Sequence, residues 1–153
     1  KLTLEHPWQM RFIEMMPFAG VTDVQTGGVV TAEEIKERIE DSLGDLQVAN
    51  NGKLDGEARL FKLPNAKGDV GFISSVTAPF CSACTRARLT ADGRLRLCLL
   101  REKEVDLLTP LRAGATLDDL RQIILDGVWE KPWGHGLAEG LIPLNRAMNE
   151  IGG

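Results

Sequence analysis

The sequence predicts an α+β fold, and three observations carry that reading. Several short runs alternate apolar and polar residues with the period of a half-buried strand. Two longer segments place apolar residues at helical spacing behind an N-cap signal. A compact turn, Ala91-Asp92-Gly93, joins two of the alternating runs into a hairpin.

In chain order, Gln9 to Met16 reads as a strand, ended by Pro17-Phe18-Ala19-Gly20. Thr31-Ala32-Glu33-Glu34 is a capping box, in which Thr31 accepts from the Glu34 amide and Glu34 reaches back. It predicts a helix to about Leu43, before Gly44, with Ile35 and Ile39 on the inner face. Ala58 to Leu63 and Val70 to Val76 read as strands separated by the turn Pro64-Asn65-Ala66-Lys67-Gly68, and both are expected to pair with the hairpin that follows. A second helix starts at Thr116, with Asp118 and Asp119 in its first turn. It is expected to bury Leu117, Leu120, Ile123 and Ile124 and to stop or kink at Gly127. The stretch from Trp129 to Gly140 carries Pro132 and three glycines and reads as a loop leading to the tail.

At 153 residues the chain is about one domain, with a formal net charge of -4 and no repeat or low-complexity tract. No apolar run approaches the ~20 residues of a membrane span, so a cytoplasmic protein is expected. The net charge argues against a nucleic-acid binder that uses its whole surface. Six arginines, Arg86, Arg88, Arg94, Arg96, Arg101 and Arg112, nevertheless cluster along one stretch, a local excess that suits a polyphosphate.

The chain has three cysteines, Cys81, Cys84 and Cys98, and all lie in or beside the hairpin. A three-residue loop with Gly93 in the left-handed conformation sets Thr90 opposite Arg94, Arg88 opposite Arg96 and Arg86 opposite Cys98. Cys84, Arg86, Arg88, Arg96 and Cys98 then project one way, and Ala87, Leu89, Leu95, Leu97 and Leu99 project towards a core. A two-residue turn would shift the register by one and send Cys98 to the opposite face.

Three thiolates admit several occupants. A structural zinc site takes four protein ligands, so a Cys3His site would need His6 or His135. An iron–sulfur cubane usually takes four cysteines, and three would leave one iron open to a small molecule. A disulfide is disfavoured by the odd count and by the lack of a secretory signal. His135, alone in a glycine-rich loop, reads as a capping or surface residue.

The stretch Phe80 to Leu99 resembles the C-terminal cluster motif of the GTP 3',8-cyclases, the radical-SAM enzymes known as molybdenum-cofactor biosynthesis protein A. Arg11-Phe12-Ile13-Glu14-Met15-Met16-Pro17 resembles a late barrel strand of that family. Leu111-Arg112-Ala113-Gly114, Lys131-Pro132 with His135, and the closing Met148-Asn149-Glu150-Ile151-Gly152-Gly153 are similar to its later segments.

The resemblance implies closing strands of an incomplete (β/α) barrel over residues 1–30. It implies a cluster and GTP-binding region with an antiparallel extension over residues 31–153. It implies a [4Fe-4S] cluster on Cys81, Cys84 and Cys98, with guanine on its open iron. Arg86 and Arg88 would lie against the nucleotide, Arg11 would reach substrate, Met16 would contact S-adenosylmethionine, and Gly152 and Gly153 would enter the active site.

The family's CxxxCxxC motif is not present, because the three cysteines are already used. The chain also opens without methionine, and the expectation is a C-terminal portion that makes no adenosyl radical alone. Its unpaired barrel edge predicts a homo-oligomer. Two other readings remain at this point: a stand-alone zinc or iron–sulfur module for a nucleotide or protein partner, and a SPASM-type auxiliary domain, which generally carries more cysteines.

Overall fold

Alternation in the strands between residues 58 and 73 buries both faces of the sheet: Ala58 and Leu60 lie on one face with Gly71, and Val70 and Phe72, opposite Phe61 and Arg59, on the other. The computed structural model describes residues 1–17 and 29–151. The turn expected at residues 18–20 and the Gly152-Gly153 tail lie outside the described residues. Those described form two compact units, one from residues 1–16 and 29–80 and one from residue 17 and residues 81–151.

The first unit contains α1 (Leu2–Glu5), β1 (Gln9–Ile13), α2 (Ala32–Leu43), β2 (Gln47–Val48), β3 (Leu54–Asp55), β4 (Ala58–Lys62) and β5 (Asp69–Ile73). The sheet runs β1-β5-β4-β2, with β3 also on β4. β1 lies parallel to β5, with Met10 opposite Val70 and Phe12 opposite Phe72, and the other pairings are antiparallel. This is an open mixed sheet, and no barrel closes among the described residues.

Leu46, Leu63, Ala66, Val70 and Phe72 form the core, covered by Ile35 and Ile39 of α2 as their spacing predicts. Phe72 is central. Its ring stacks on Phe12 at 5.7 Å and meets the edge of Phe61 at 5.6 Å, contacts worth about 0.5–1.5 kcal/mol each beyond the area they bury.

The capping box at α2 is half formed. Thr31 Oγ1 accepts from the Glu34 amide at 3.2 Å, but the Glu34 carboxylate turns forward to Arg38 at 2.5 Å. Another first-turn amide, that of Ala32, donates to Glu14 at 3.0 Å. Glu14 is 2% exposed and also accepts from the Val76 and Thr77 amides, at 3.1 and 3.0 Å, and from the Thr77 hydroxyl. Burial pushes its carboxyl up, but these hydrogen bonds, led by those from Thr77, outweigh burial and leave it below the ordinary value. A single carboxylate thus ties the end of β1 to the start of α2 and to the chain after β5.

The second unit contains β6 (Arg88–Leu89), β7 (Arg94–Arg96), β8 (Glu104–Asp106), α3 (Leu108–Arg112) and α4 (Leu117–Trp129). β6, β7 and β8 make a separate antiparallel sheet. The expected pairing of β4 and β5 with the cysteine hairpin is therefore wrong. β4 and β5 join each other through the turn at Asn65, and the hairpin takes β8, the next strand along the chain, for its third strand. Short loops close at lower entropic cost, so local partners win.

Thr116 and Asp119 form a complete capping box at α4: Thr116 Oγ1 accepts from the Asp119 amide at 3.2 Å, and Asp119 accepts from the Thr116 amide at 2.8 Å. Leu117, at the very start of the helix, is 84% exposed and Ile124 is 37% exposed, neither buried as the spacing suggests. Gly127 neither stops nor kinks α4, which continues to Trp129. It is buried where the helix crosses β8, and a Cβ there would lie 2.7 Å from Val105 Cγ2. No helix among the described residues is long and apolar enough to cross a membrane.

Gly127→Ala should lower the unfolding free energy by about 1–3 kcal/mol, by overpacking against Val105. The same change in an uncrowded helix would stabilise by about 1 kcal/mol, so the sign is informative. Urea denaturation should show the loss, with partial recovery in Gly127→Ala/Val105→Ala. A single variant as stable as the parent contradicts the contact.

Candidate metal centre

Gly93 carries φ 74°, and its amide donates to the Thr90 carbonyl at 3.0 Å. Few side chains tolerate that conformation, and it sets the three-residue loop that the sequence predicts. Arg88 sits opposite Arg96 and Leu89 opposite Leu95, while the Thr90 amide donates to the Arg94 carbonyl at 2.9 Å. The register is the expected one. The ladder, however, ends at Arg88 and Arg96, so the predicted Arg86–Cys98 pair is not formed.

The reading of the two faces needs correction. Arg96 is 1% exposed and Leu89 is 61% exposed, so near the turn the arginine face is the covered one. β8 sets Glu104 opposite Arg96, with Arg96 Nη1 2.9 Å from Glu104 Oε1. Arg146 reaches the same carboxylate, its Nε 2.8 Å from Oε1 and its Nη2 2.9 Å from Oε2, and also bonds Asp92 at 2.7 Å. Arg96 Nη2 donates to the Leu99 carbonyl at 3.3 Å, so the chain bends around the guanidinium, and Leu97 is buried as well. Two adjacent buried residues break the period-two pattern, and Cys98 falls beyond the strand. Leu89 instead lines an apolar groove of about 200 Å³ with Leu107, Leu108, Leu111, Leu120 and Ile124.

A short 3-10 turn before β6 runs from Cys81 to Ala83, and the amide of Cys84, which follows it, donates to the Cys81 carbonyl at 3.1 Å. All three cysteines are free and half-buried. Burial pushes the Cys98 thiol up. A hydrogen bond from the Leu100 amide opposes this, the neighbouring Cys81 and Cys84 add to it, and Lys131 draws it down. Cys98 therefore lies within electrostatic reach of both Cys81 and Cys84. Among the described residues, no three His, Cys, Asp or Glu side chains are arranged to hold a metal ion.

Lys131 is the neighbour of the candidate cysteines that residue patterns do not reveal. Its Nζ lies 3.7 Å from Cys84 Sγ and 2.5 Å from the Arg86 carbonyl oxygen. No periodicity links it to the hairpin, and only its place in the Lys131-Pro132 resemblance singled it out. Arg86 is exposed and Arg88 half-buried on β6. Of the other arginines in the cluster, Arg94 pairs with Asp92 and Asp106, at 3.6 and 3.8 Å, and Arg101 with Glu139 at 3.6 Å. The positive excess read from the sequence is thus partly neutralised. His135 accepts from the Leu137 amide at 3.3 Å, the capping role expected of it.

The remaining candidates lie elsewhere. In the first unit, Arg11 is in the middle of β1 and pairs with Asp55 at 2.7 Å. Met16, half-buried, follows the end of that strand. Gly152 and Gly153 lie outside the described residues, although Ile151 before them is 1% exposed.

Residues 8–137 match the family model described as Molybdenum Cofactor Synthesis C, and the chain belongs to that family. Its role is accordingly in molybdenum cofactor synthesis. Among curated proteins it is similar to the GTP 3',8-cyclase of Desulforamulus reducens, 41% identical over all of this chain and 47% of the relative. It is 44% identical to the GTP 3',8-cyclase of Thermodesulfovibrio yellowstonii, over 95% of this chain and 44% of the relative. It is likewise 44% identical to that of Gloeobacter violaceus, over 86% and 40%. The chain spans about half the length of these relatives or somewhat less.

The Arg146 hydrogen bond, helped by one from Thr90, holds the Asp92 carboxyl at about 2, below its ordinary 3.8. The folded value lies below the unfolded one. Its stabilisation is therefore complete above the unfolded value and is lost as pH falls towards the folded one. Urea midpoints should decline between about pH 4 and pH 2. Arg146→Gln should lower the midpoint at neutral pH and flatten that decline, whereas a decline as steep as the parent's would contradict the pairing.

Proposed function

We propose that this chain is the substrate-holding part of a GTP 3',8-cyclase, with Cys81, Cys84 and Cys98 as ligands of a [4Fe-4S] cluster. The observation that carries the reading is the gathering of three free, half-buried thiols around one hairpin, close enough to feel one another's charge. The donor set fits such a group: all three donors are soft sulfurs, and a lysine ammonium faces one of them. Cys81, Cys84 and Cys98 would be the residues that hold it. When bound, the cluster would supply an iron without a protein ligand, open to the guanine ring.

The chain's own residues would orient the nucleotide. Arg88, half-buried on a strand, and Arg86, on the segment that Lys131 braces, present planar donor forks suited to phosphate oxygens. Holding two reacting groups in place can contribute about 7–11 kcal/mol in well-oriented systems. Met16 would contact S-adenosylmethionine, Arg11 would release Asp55 to reach substrate, and Gly152 and Gly153 would enter the site. These roles belong with a barrel of which residues 1–30 form the end. With its three cysteines committed to one cluster, the chain alone would make no adenosyl radical. β1 is a sheet edge with Ile13 59% exposed, which supports self-association.

Anaerobic reconstitution with iron and sulfide tests the reading. The expected product is brown, with iron and sulfide in equal amounts, and Cys81→Ser, Cys84→Ser and Cys98→Ser should each lose most of the cluster. GTP should bind the loaded protein. Arg86→Ala or Arg88→Ala should weaken binding by about 1.5–3 kcal/mol each, the value of a charge-assisted hydrogen bond. A colourless protein with one zinc, or GTP binding indifferent to both arginines, would favour the generic binding module.

A further inference from the structure

Lys131 follows α4 by two residues, and its backbone is fixed. Its amide donates to the Val128 carbonyl at 3.1 Å, extending the helical turn, and Pro132 restricts the next residue. The side chain is thus delivered from a braced helix end and not from a free loop. A lysine at a helix C-terminus is commonly explained by the helix dipole alone. Here the ammonium is engaged instead with the cysteine segment: it donates to the Arg86 carbonyl at 2.5 Å and to the Cys84 sulfur at 3.7 Å.

A thiolate-ligated cubane carries net negative charge that grows on one-electron reduction. A fixed cation within about 4 Å of a ligand sulfur favours the reduced form more than the oxidised one. We propose that Lys131 is a positioning residue of the thiolate centre, whose ammonium donates to the Cys84 sulfur, braces the Arg86 segment, and raises the reduction potential of the cluster. This assignment rests on the cluster reading above.

The test compares the parent chain, Lys131→Met and Lys131→Arg after anaerobic reconstitution. Iron and sulfide content, the midpoint from an electron paramagnetic resonance redox titration, and the rate of iron loss to a chelator are measured for each. Lys131→Met should show a more negative midpoint and several-fold faster iron loss, while Lys131→Arg, which keeps the charge, should stay near the parent. Should Lys131→Met fail to load while Lys131→Arg loads, the requirement for charge is supported directly. Two variants failing alike beside a loaded parent would point to lost shape and overturn the proposal.

A fully loaded Lys131→Met with the parent's midpoint and release rate would remove the role of Lys131 and leave the cluster reading standing. A parent that takes up no iron and sulfide would sink the cluster reading, and this inference with it.

Discussion

An ion cluster of buried Arg96 with the partly buried Glu104 and Arg146 ties β7, β8 and the tail of the second unit to one another. Arg96 is 1% exposed and Glu104 is its direct cross-strand neighbour, so the pair locks β7 to β8. Arg146 then fastens the tail to the same carboxylate and to the hairpin turn at Asp92. Breaking such a pair from one side typically costs about 3–5 kcal/mol, because a charge is left buried without its partner. Since the chain bends around Arg96 to reach Leu99, the position of Cys98 follows from this cluster as much as from the strand.

The thiols lie where two constraints meet. The 3-10 turn begins at Cys81 and leads into Cys84, and Cys98, in the bend after β7, feels the charge of both. Lys131 joins from the end of α4 and bridges the Cys84 sulfur to the Arg86 carbonyl. The helix in turn is seated on β8 by the absence of a side chain at Gly127. Hairpin, third strand and helix therefore each contribute to the surroundings of the candidate cysteines.

Much of this was legible in the sequence, for local reasons. Gly93 after Ala91-Asp92 specified the loop, the loop specified the register, and the caps at Thr31 and Thr116 located both long helices. What escaped was set by partners further along the chain. Period-two alternation shows which residues share a face but not which face is covered, and here Glu104 and Arg146 decided that for Arg96. Gly127 looks like a breaker until Val105 is seen beneath it. Lys131 reaches Cys84 across 47 positions of sequence, a separation that no local pattern spans.

Residues 8–137 place the chain in the Molybdenum Cofactor Synthesis C family, and the proposal gives its cysteine centre the part of holding and orienting a substrate. The central claim is that three cysteines hold one cluster and leave one iron to the substrate. Mössbauer spectroscopy of chain reconstituted with iron-57, recorded with and without GTP, addresses it most directly. The account predicts that one of the four irons is distinct and that its signal alone shifts when the nucleotide is added. Four irons unaffected by GTP would contradict it.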